Sequence, residues 1–293
     1  MSFKENLENQ RQRFIKVFDD TTRFYADHLQ EANTSLRENT IVYSEDIVIP
    51  ERHLLQKHTT CSLDNVTVTK NRTFEAARLL SKEFPTKAIA VLNFASATNP
   101  GGGVLKGSSA QEECLCRASN LYESLISPTA LDNFYIPNKT LANPIHTDRI
   151  IYSPRVTVFK TDDKEYKLLP KEDWYEVGVI TCAAPNLREK PCNQFNQDCG
   201  DRVVLSDKEL YDIHVSRAKH IFEVAIHHNI KVLVLGAFGC GAFKNDPAIV
   251  AKAYYDVLKE YYGVEFDRVE FAVYCLPQDD TNYKIFKDTF GGK

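Results

Sequence analysis

The sequence has no run of about 18 consecutive apolar residues, the length that a membrane-spanning helix requires. Its start, MSFKENLENQRQRF, lacks the basic-then-apolar layout of a signal peptide. It also has no basic block, because 36 Lys and Arg residues are outnumbered by 40 Asp and Glu, for a formal net charge of −4. Broad binding to a nucleic acid backbone draws its free energy from Lys and Arg, so this composition disfavours that class of function. We therefore expect a soluble, intracellular protein whose anionic ligands, if any, bind in a local pocket.

The usual signatures of metal sites are missing too. No C-x-x-C pair and no H-E-x-x-H pattern is present, and the spacing of Cys182, Cys192 and Cys199 matches no zinc knuckle. A chain of 293 residues with 43% hydrophobic content can build a core without disulfide staples. We therefore predict reduced thiols and expect neither a metal nor a cofactor. The eight cysteines are Cys61, Cys114, Cys116, Cys182, Cys192, Cys199, Cys240 and Cys275.

From residue 65 onward, strand patterns alternate with helix patterns. Short β-branched or continuous apolar runs predict strands over residues 65–70, 88–95, 150–159, 176–183, 231–235 and 269–275. Helical spacing and capping residues predict helices over 73–83, 109–125, 206–228 and 246–262. This alternation is typical of βαβ units, so we predict an α/β fold with a mostly parallel central sheet flanked by helices on both faces.

Two segments fall outside this alternation. Residues 1–60 carry one apolar stripe at helical spacing, which predicts an N-terminal helical extension packed on the main domain or on a partner. The stripe consists of Leu7, Phe14, Phe18, Tyr25 and Leu29. Residues 127–149, with three prolines and several Asn and Asp, are predicted to form a long loop.

The first glycine-rich segment follows the predicted strand 88–95. It contains Gly101, Gly102 and Gly103, and Gln111 comes after a gap of seven residues. Three consecutive glycines suit a chain that takes positive φ angles or lets a ligand approach its amides, although a flexible surface loop would look the same. We call residues 95–110 the first loop. Because ligands of parallel sheets bind at the carboxyl ends of the strands, this loop is a candidate binding site.

Two carboxylates follow the first loop. Ser109 and Glu112 have the spacing of a capping box, which would assign Glu112 a purely structural role. Glu113 lies about 100° further round the helix and is not needed by such a cap. Ordinary glycosidases place two carboxyls across the scissile bond, whereas adjacent residues do not obviously do so. A single glutamate that acts as proton donor and then as base is the more natural arrangement, and a solvated acidic face remains the alternative.

The second glycine-rich segment joins the strand 231–235 to the helix that begins at Asp246 and Pro247. We call residues 236–246 the second loop; its sequence is GAFGCGAFKND. The order G-x-x-G-x-G does not fit the dinucleotide fingerprint, and no Walker lysine follows. Such a turn can present backbone amides to a diphosphate at a helix N-terminus. Phe238 and Phe243 could flank a sugar or a base, or could simply be buried.

At these residues the chain resembles a known family. The triple glycine, the seven-residue gap and Gln111-Glu112-Glu113 resemble the signature of poly(ADP-ribose) glycohydrolases. The flanking sequences NFASATNPGGG and LGAFGCGAFKNDP resemble their bacterial-type, macrodomain-like branch. The resemblance covers roughly residues 65–275. It implies a macrodomain-like domain over residues 61–293, preceded by the helical accessory segment 1–60.

The resemblance also implies roles for individual residues. Glu113 would be the catalytic acid and base, while Glu112 and Asn99 would hold ribose hydroxyls and Phe243 would position the distal ribose. The first loop would lie beside the distal ribose and the second loop around the diphosphate. The catalytic residues implied are Glu113 and Glu112, and the residues implied to bind ADP-ribose are Asn99, Gly101, Gly102, Gly103, Gln111, Gly236, Ala237, Phe238, Gly239, Cys240, Gly241, Ala242, Phe243 and Asn245.

The activity that follows is hydrolysis of the ribose–ribose O-glycosidic bond of poly(ADP-ribose), releasing ADP-ribose without a metal or cofactor. The expected partners are poly(ADP-ribose) or an ADP-ribosylated macromolecule, and ADP-ribose as the product ligand. Two alternatives remain open at this point. One is a hydrolase of mono-ADP-ribose on protein or nucleic acid, and the other is a reader that binds ADP-ribose without turnover.

Overall fold

The computed structural model describes residues 3–44, 62–192, 200–262 and 265–291. Within these ranges the strands are β1 (Ile41–Tyr43), β2 (Val66–Thr69), β3 (Ile89–Phe94), β4 (Ile150–Val158), β5 (Tyr175–Cys182), β6 (Val232–Leu235) and β7 (Arg268–Ala272). The helices are α1 (Phe3–His28), α2 (Gln30–Glu38), α3 (Thr73–Glu83), α4 (Gln111–Ala118), α5 (Leu121–Leu125), α6 (Pro128–Ala130), α7 (Ile136–Leu141), α8 (Asp207–His227), α9 (Pro247–Val257) and α10 (Thr281–Gly291). None of these helices is long and apolar enough to cross a membrane.

All seven strands belong to one sheet with the order β1-β4-β5-β3-β6-β7-β2. Every pairing from β5 through β3, β6 and β7 to β2 is parallel, whereas β4 runs antiparallel to β5 and β1 antiparallel to β4. The predicted α/β fold with a mostly parallel sheet is confirmed. Because five neighbouring strands point the same way, their carboxyl ends meet at one edge, which is where both glycine-rich loops emerge.

Each face of the sheet is covered by its own hydrophobic core. Val91 of β3 faces a core shared with α3 and α4, and its neighbours Ala90 and Leu92 face a second core shared with α8 and α9. All three side chains are fully buried. Side chains of a strand alternate between its two faces, so a strand covered on both sides is apolar at most positions. This explains the continuous apolar runs in the sequence.

The six predicted strands and three of the four predicted helices are confirmed to within a few residues. The capping box that begins α8 is present, because Glu209 N–H donates to Ser206 Oγ and Ser206 N–H donates back to the Glu209 carboxylate. The helix predicted over 246–262 is α9, extended by a π-helical turn over Leu258–Tyr262. The strand β1 and the helix α10 were not predicted, and the helical prediction for residues 1–60 did not separate α2 from α1.

The helix predicted over 109–125 is divided into α4 and α5. At the break, Ser119 takes an extended backbone and forms an antiparallel bridge to Val158. Asn120 then accepts a hydrogen bond from Thr157 N–H at its Oδ1, 2.8 Å away. Contacts with β4 therefore keep Ser119 and Asn120 out of the helix that the local pattern predicts.

The prediction of a long loop over 127–149 was wrong for its first half. Helix α6 begins after Ser127, whose Oγ accepts from Ala130 N–H, and Pro128 occupies the first turn. A π-helical turn over Leu131–Tyr135 and helix α7, with Pro137 in its first turn, follow. Proline is tolerated in the first turn of a helix because that position needs no N–H donor. The prolines that suggested a loop here lie at helix starts.

The N-terminal segment packs into the main core. Phe14, Phe18 and Tyr25 of the predicted stripe are buried, while Leu7 is 42% exposed. Segment 1–60 is helical over α1 and α2, as predicted, and it also adds β1 to the edge of the sheet. Residues 45–61 lie outside the described ranges, so the boundary at residue 60 stays a prediction, as does the reduced state of Cys61 and Cys199, which also lie outside these ranges.

The backbone of α1 lies directly on the first loop. Gly107 closes the short 3-10 turn Val104–Lys106 with φ of +72°, and a Cβ built on it would lie 2.3 Å from the carbonyl oxygen of Arg11. The buried Arg117 connects α4 to both α1 and the first loop, since its Nε donates to Phe14 O at 3.2 Å and its guanidinium also donates to Ser108 O. Helix α1 therefore forms part of the wall around the first loop.

We expect Gly107→Ala to destabilise the fold by at least about 1 kcal/mol, because the left-handed φ penalises a Cβ and the methyl group would collide with α1. Thermal and urea denaturation measure this loss. Gly241→Ala is the matched control, since a Cβ there would meet no atom within 4 Å and its φ is not positive. Equal stability of the two variants would contradict the close approach of α1.

Candidate active site

The two loops enclose one cavity at the carboxyl edge of the parallel strands. Its volume is about 1070 Å³, which is at the upper end of the range for small-molecule sites. Segments that follow β2 and β7 complete the wall, and so do side chains from α1. Of the residues predicted to bind or react, the lining contains Asn99, Gly102, Gly103, Gln111, Glu112, Glu113, Ala237, Phe238, Gly239, Gly241, Ala242 and Phe243. Gly101, Gly236, Cys240 and Asn245 do not line it.

The first loop lies directly on the two predicted catalytic carboxylates. Gly101 and Gly102 have φ of +66° and +60°, a conformation that favours glycine. A Cβ on Gly102 would lie 2.6 Å from Glu113 Oε1 and 3.0 Å from Glu112 Oε2. The glycines are therefore needed both for the shape of the turn and for the close approach of its backbone to the glutamates.

Glu113 is held at one oxygen and free at the other. Its side chain is only 6% exposed, and Oε1 accepts a hydrogen bond from Gly103 N–H at 2.8 Å. Oε2 is buried and has no hydrogen-bond partner among the described residues. Burial raises the pKa of this carboxyl, although the Gly103 amide and the Arg117 guanidinium oppose the shift. A carboxyl that holds its proton and keeps one oxygen unused can serve as a proton donor.

Glu112 does not cap the helix. Residue Ala110 occupies the N-cap of α4 without a side-chain cap, so the capping box suggested by Ser109 and Glu112 is not formed. Instead, Glu112 Oε2 accepts from Ser96 N–H at 2.7 Å and Oε1 accepts from Asn93 Nδ2 at 3.3 Å. Burial raises the pKa of Glu112 well above the ordinary value, and the neighbouring Glu113 adds to the shift. Glu112 thus anchors the start of the first loop to the end of β3.

Gln111 and Asn99 both lie in the cavity wall, but their side chains differ in how many hydrogen bonds they form with the protein. Gln111 Oε1 accepts from Phe94 N–H at 2.8 Å, and its Nε2 donates to Leu92 O at 2.7 Å and to Thr73 Oγ1 at 3.0 Å. Its side chain is therefore engaged in joining α4 to β3. Asn99 donates from Nδ2 to the neighbouring Thr98 Oγ1 at 3.2 Å, and its Oδ1 accepts no hydrogen bond from the described residues.

The second loop exposes a group of backbone donors. Within the described residues, five amides of cavity-lining residues donate to no protein acceptor, whereas the amides of Phe238, Cys240, Lys244 and Asn245 close turns inside the loop. The five amides belong to Ala237, Gly239, Gly241, Ala242 and Phe243. Several N–H groups directed from one turn form a natural site for an anion.

The N-terminus of α9 does not contribute to this site in the way the sequence suggested. Asp246 Oδ1 accepts from Ala248 N–H at 2.8 Å and from Ile249 N–H at 3.3 Å, so the helix end is already capped by a carboxylate. The donors available to an anion are therefore those of the second loop itself.

The remaining predicted residues of the second loop support its shape. Asn245 is buried, and its Nδ2 donates to Pro185 O at 2.7 Å and to Gly239 O at 3.1 Å. Phe238 is fully buried against Phe94, with ring centroids 5.7 Å apart. Phe243 is half-buried and lies 5.7 Å from the guanidinium of Arg188.

Several residues of the wall were not predicted. The guanidinium of Arg72 lies over the ring of Tyr274, 4.0 Å from its centroid. Buried Asp162 lies 4.0 Å from Arg72, and its Oδ1 has no hydrogen-bond partner among the described residues. Burial raises the pKa of Asp162 to about 6. Arg188 adds a second half-buried cation. These residues come from four distant segments, and no local pattern in the sequence connects them.

Comparisons with known proteins agree on one family. Residues 27–161 match the family described as the microbial-type PARG catalytic domain. A search of the curated proteins found no match. Among solved structures, poly(ADP-ribose) glycohydrolase (PARG) from Thermomonospora curvata is 30% identical, with a TM-score of 0.80 over 95% of this chain and 100% of that chain.

A second solved structure, PARG from Deinococcus radiodurans in complex with ADP-ribose, is 35% identical, with a TM-score of 0.73 over 88% of this chain and 96% of that chain. The Thermomonospora curvata enzyme bound to the inhibitor ADP-HPD matches with a TM-score of 0.76 at 30% identity over 94% of this chain and 98% of that chain. The macrodomain-like fold and the glycosidase class expected from the sequence are confirmed. The chain belongs to the microbial-type poly(ADP-ribose) glycohydrolase family.

Proposed function

We propose that the cavity binds a terminal ADP-ribose unit of poly(ADP-ribose) and that Glu113 acts on its ribose–ribose O-glycosidic bond, releasing ADP-ribose. The observation that carries this proposal is Oε2 of Glu113, which is buried in the wall of the cavity without a hydrogen-bond partner among the described residues. Family membership supplies the class of reaction, poly(ADP-ribose) glycohydrolysis.

The diphosphate is assigned to the second loop. The unpaired amides of Gly239, Gly241, Ala242 and Phe243 can donate to several phosphate oxygens at once. Arg188 lies in the same wall, beside Phe243, and adds positive charge. These groups form the local anion pocket that a chain with a net charge of −4 needs for a polyanionic substrate.

The distal ribose is assigned to the first loop. Glu112 and Asn99 both line the cavity, and each has side-chain oxygen lone pairs that can accept from ribose hydroxyls. Phe243 would limit how the sugar lies against the second loop. With these groups holding the ring, the glycosidic oxygen would meet the unused Oε2 of Glu113.

The adenine is assigned to the pocket formed by Tyr274, Arg72 and Asp162. Tyr274 offers a flat ring, 45% exposed, that is already stacked with the Arg72 guanidinium. Oδ1 of Asp162 lies 4.0 Å from Arg72 and has no hydrogen-bond partner among the described residues, so it is an acceptor suited to an exocyclic amine. This assignment would give that buried oxygen a hydrogen-bond partner.

The chemical step then needs one carboxyl group in two states. Protonated Glu113 donates its proton to the departing ribose oxygen as the bond to the anomeric carbon breaks, leaving an oxocarbenium-like sugar. The neighbouring diphosphate stabilises that positive charge. Ionised Glu113 then takes a proton from a water molecule that attacks the anomeric carbon, which regenerates the acid. Glu112 is anchored to β3 on the same side as Glu113, so the pair does not have the arrangement of two carboxyls across a scissile bond.

We expect Glu113→Gln to lower kcat for release of ADP-ribose from poly(ADP-ribose) by roughly 10²–10⁴-fold, the usual contribution of general acid–base catalysis. The glutamine can still accept from Gly103 N–H, so calorimetry should show near-normal binding of ADP-ribose. Release of ADP-ribose at a wild-type rate by this variant would refute the role of Glu113. Wild-type activity on mono-ADP-ribosylated protein or DNA with none on the polymer would refute the assigned bond.

We expect the same variant to be more stable than the wild type at neutral pH. The folded pKa of Glu113 is raised, so the folded state binds more protons between the ordinary and the raised pKa, and stability falls as pH rises through that window. The uncharged glutamine avoids this loss. The difference in Tm between Glu113→Gln and the wild type should be smallest below the ordinary glutamate pKa and should grow as pH rises through the raised pKa of Glu113.

The matched control for this pH series is Glu209→Gln. Hydrogen bonds from Ser206 lower the pKa of Glu209, so its charged form stabilises the fold above the ordinary glutamate pKa. Its glutamine variant should therefore be less stable than the wild type at neutral pH, the opposite sign, and this difference should shrink only as pH falls below the ordinary glutamate pKa. A Tm difference for Glu113→Gln that does not change with pH would show that the buried carboxyl carries no such cost.

We expect Gly241→Val to leave Tm unchanged and to weaken binding of ADP-ribose by at least about tenfold, the equivalent of one good hydrogen bond. The reason is that a Cβ at Gly241 meets no protein atom within 4 Å, while the residue lines the cavity beside the free amides. Differential scanning fluorimetry and calorimetric titration test the two halves. Unchanged affinity would place the diphosphate away from the second loop.

A further inference from the structure

Two buried residues of α8 lie behind the cavity, and one of them, His214, contacts the second loop. His214 and Arg217 lie one turn apart, and both side chains are almost entirely buried. Arg217 binds three carbonyls, Ala183 O at 2.7 Å, His146 O at 3.2 Å and Ile145 O, together with the carboxylate of Asp148. His214 contacts the second loop itself. The two residues therefore connect α8 to three segments at the edge of the sheet where the cavity lies.

The contact between His214 and the loop is a hydrogen bond to Asn245. The two atoms are His214 Nε2 and Asn245 Oδ1, 2.8 Å apart. The direction of this bond follows from the other end of the amide, where Asn245 Nδ2 lies close to three carbonyl oxygens. Carbonyls only accept, so Nδ2 must be the amino group and Oδ1 the acceptor. His214 therefore donates from Nε2.

Asn245 in turn sets the course of the loop. Its Nδ2 lies 3.1 Å from Gly239 O and 3.3 Å from Phe243 O, the carbonyls at the two ends of the segment that carries the unpaired amides. A peptide group is planar, so fixing these carbonyls restricts how the amides between them can turn. The third acceptor, Pro185 O at 2.7 Å, ties the loop to the segment after β5.

His214 also supports the loop at a second place. Its ring packs edge-on against Phe238, with centroids 5.9 Å apart, and Phe238 lines the cavity. Burial lowers the pKa of His214 to about 4, and nearby Arg217 favours the same neutral form. Its Nδ1 is buried without a partner in the described residues, as expected for a neutral ring with the proton on Nε2. The donor is therefore in place throughout the neutral pH range.

We propose that His214 is a positioning residue for ADP-ribose: by donating to Asn245 it orients the backbone amides of the second loop toward the diphosphate. The inference rests on the proposed function, because it assumes that these amides bind the diphosphate. His214 itself does not line the cavity and would act only through Asn245.

The test compares four proteins: wild type, His214→Leu, which removes the donor, His214→Gln, whose side-chain amide can replace it, and His220→Leu. His220 is a buried histidine of the same helix that contacts the carbonyl of Asp148 at 2.7 Å, so it controls for the loss of a buried imidazole. Calorimetry gives Kd for ADP-ribose, steady-state kinetics on poly(ADP-ribose) give kcat and KM, and thermal denaturation gives Tm.

We expect His214→Leu to raise both Kd and KM by about tenfold, the effect of losing one buried hydrogen bond, with kcat changed by less than about threefold. His214→Gln should recover most of the affinity. His220→Leu should lower Tm while its Kd stays within about twofold of the wild type. If His214→Leu does not fold, His214→Met, a flexible apolar side chain without a donor, takes its place.

Three results separate the possible failures. If the wild type binds no ADP-ribose, the proposed function fails, and the inference fails with it. If the wild type binds and the leucine variant loses Tm with unchanged Kd, His214 is only structural and the inference alone is overturned. The inference is also overturned if the glutamine variant binds as weakly as the leucine variant, because the donated hydrogen bond would then not be the cause.

Discussion

The site depends on the packing of a glycine backbone against two buried carboxyl groups. Gly102 leaves no space for a Cβ above Glu112 and Glu113, and the next amide, Gly103 N–H, donates to Glu113. Burial beneath this backbone raises the pKa values of both carboxyls, although the Gly103 amide opposes the shift at Glu113, and Oε2 of Glu113 has no hydrogen-bond partner among the described residues. The acid chemistry assigned to Glu113 thus has the same physical origin as the triple glycine.

The two loops solve different problems with the same residue type. In the first loop, Gly101 and Gly102 take left-handed φ angles so that the backbone can turn tightly over side chains. In the second loop, Gly239 has φ of +77°, but the protein around Gly241 would leave room for a Cβ. What the second loop gains is a set of unpaired amides, held in place by Asn245 and His214. One loop prepares an acid and the other a binding site for an anion.

Such a site costs stability. Within the described residues, oxygens of Glu113 and Asp162 and several backbone amides of the second loop lack hydrogen-bond partners in one cavity, where each would be better satisfied by water or by a ligand. The protein offsets this cost with a hydrophobic core on each face of the sheet and with an N-terminal helix docked on the first loop. A stable frame around a polar cavity is typical of enzyme sites.

The sequence by itself determined six of the seven strands of the described sheet, several of the helices and both loops, because an apolar run or a capping residue is a local signal. Contacts between distant segments overrode the local pattern at two places. Ser119 forms a bridge to β4 instead of continuing a helix, and Glu112 accepts a hydrogen bond from Ser96 rather than capping its own helix. Only the tertiary structure brought Arg72, Asp162 and Tyr274 into the wall and set His214 behind Asn245. These residues come from separate segments of the chain, and the strand order that unites them depends on packing, which no local pattern encodes.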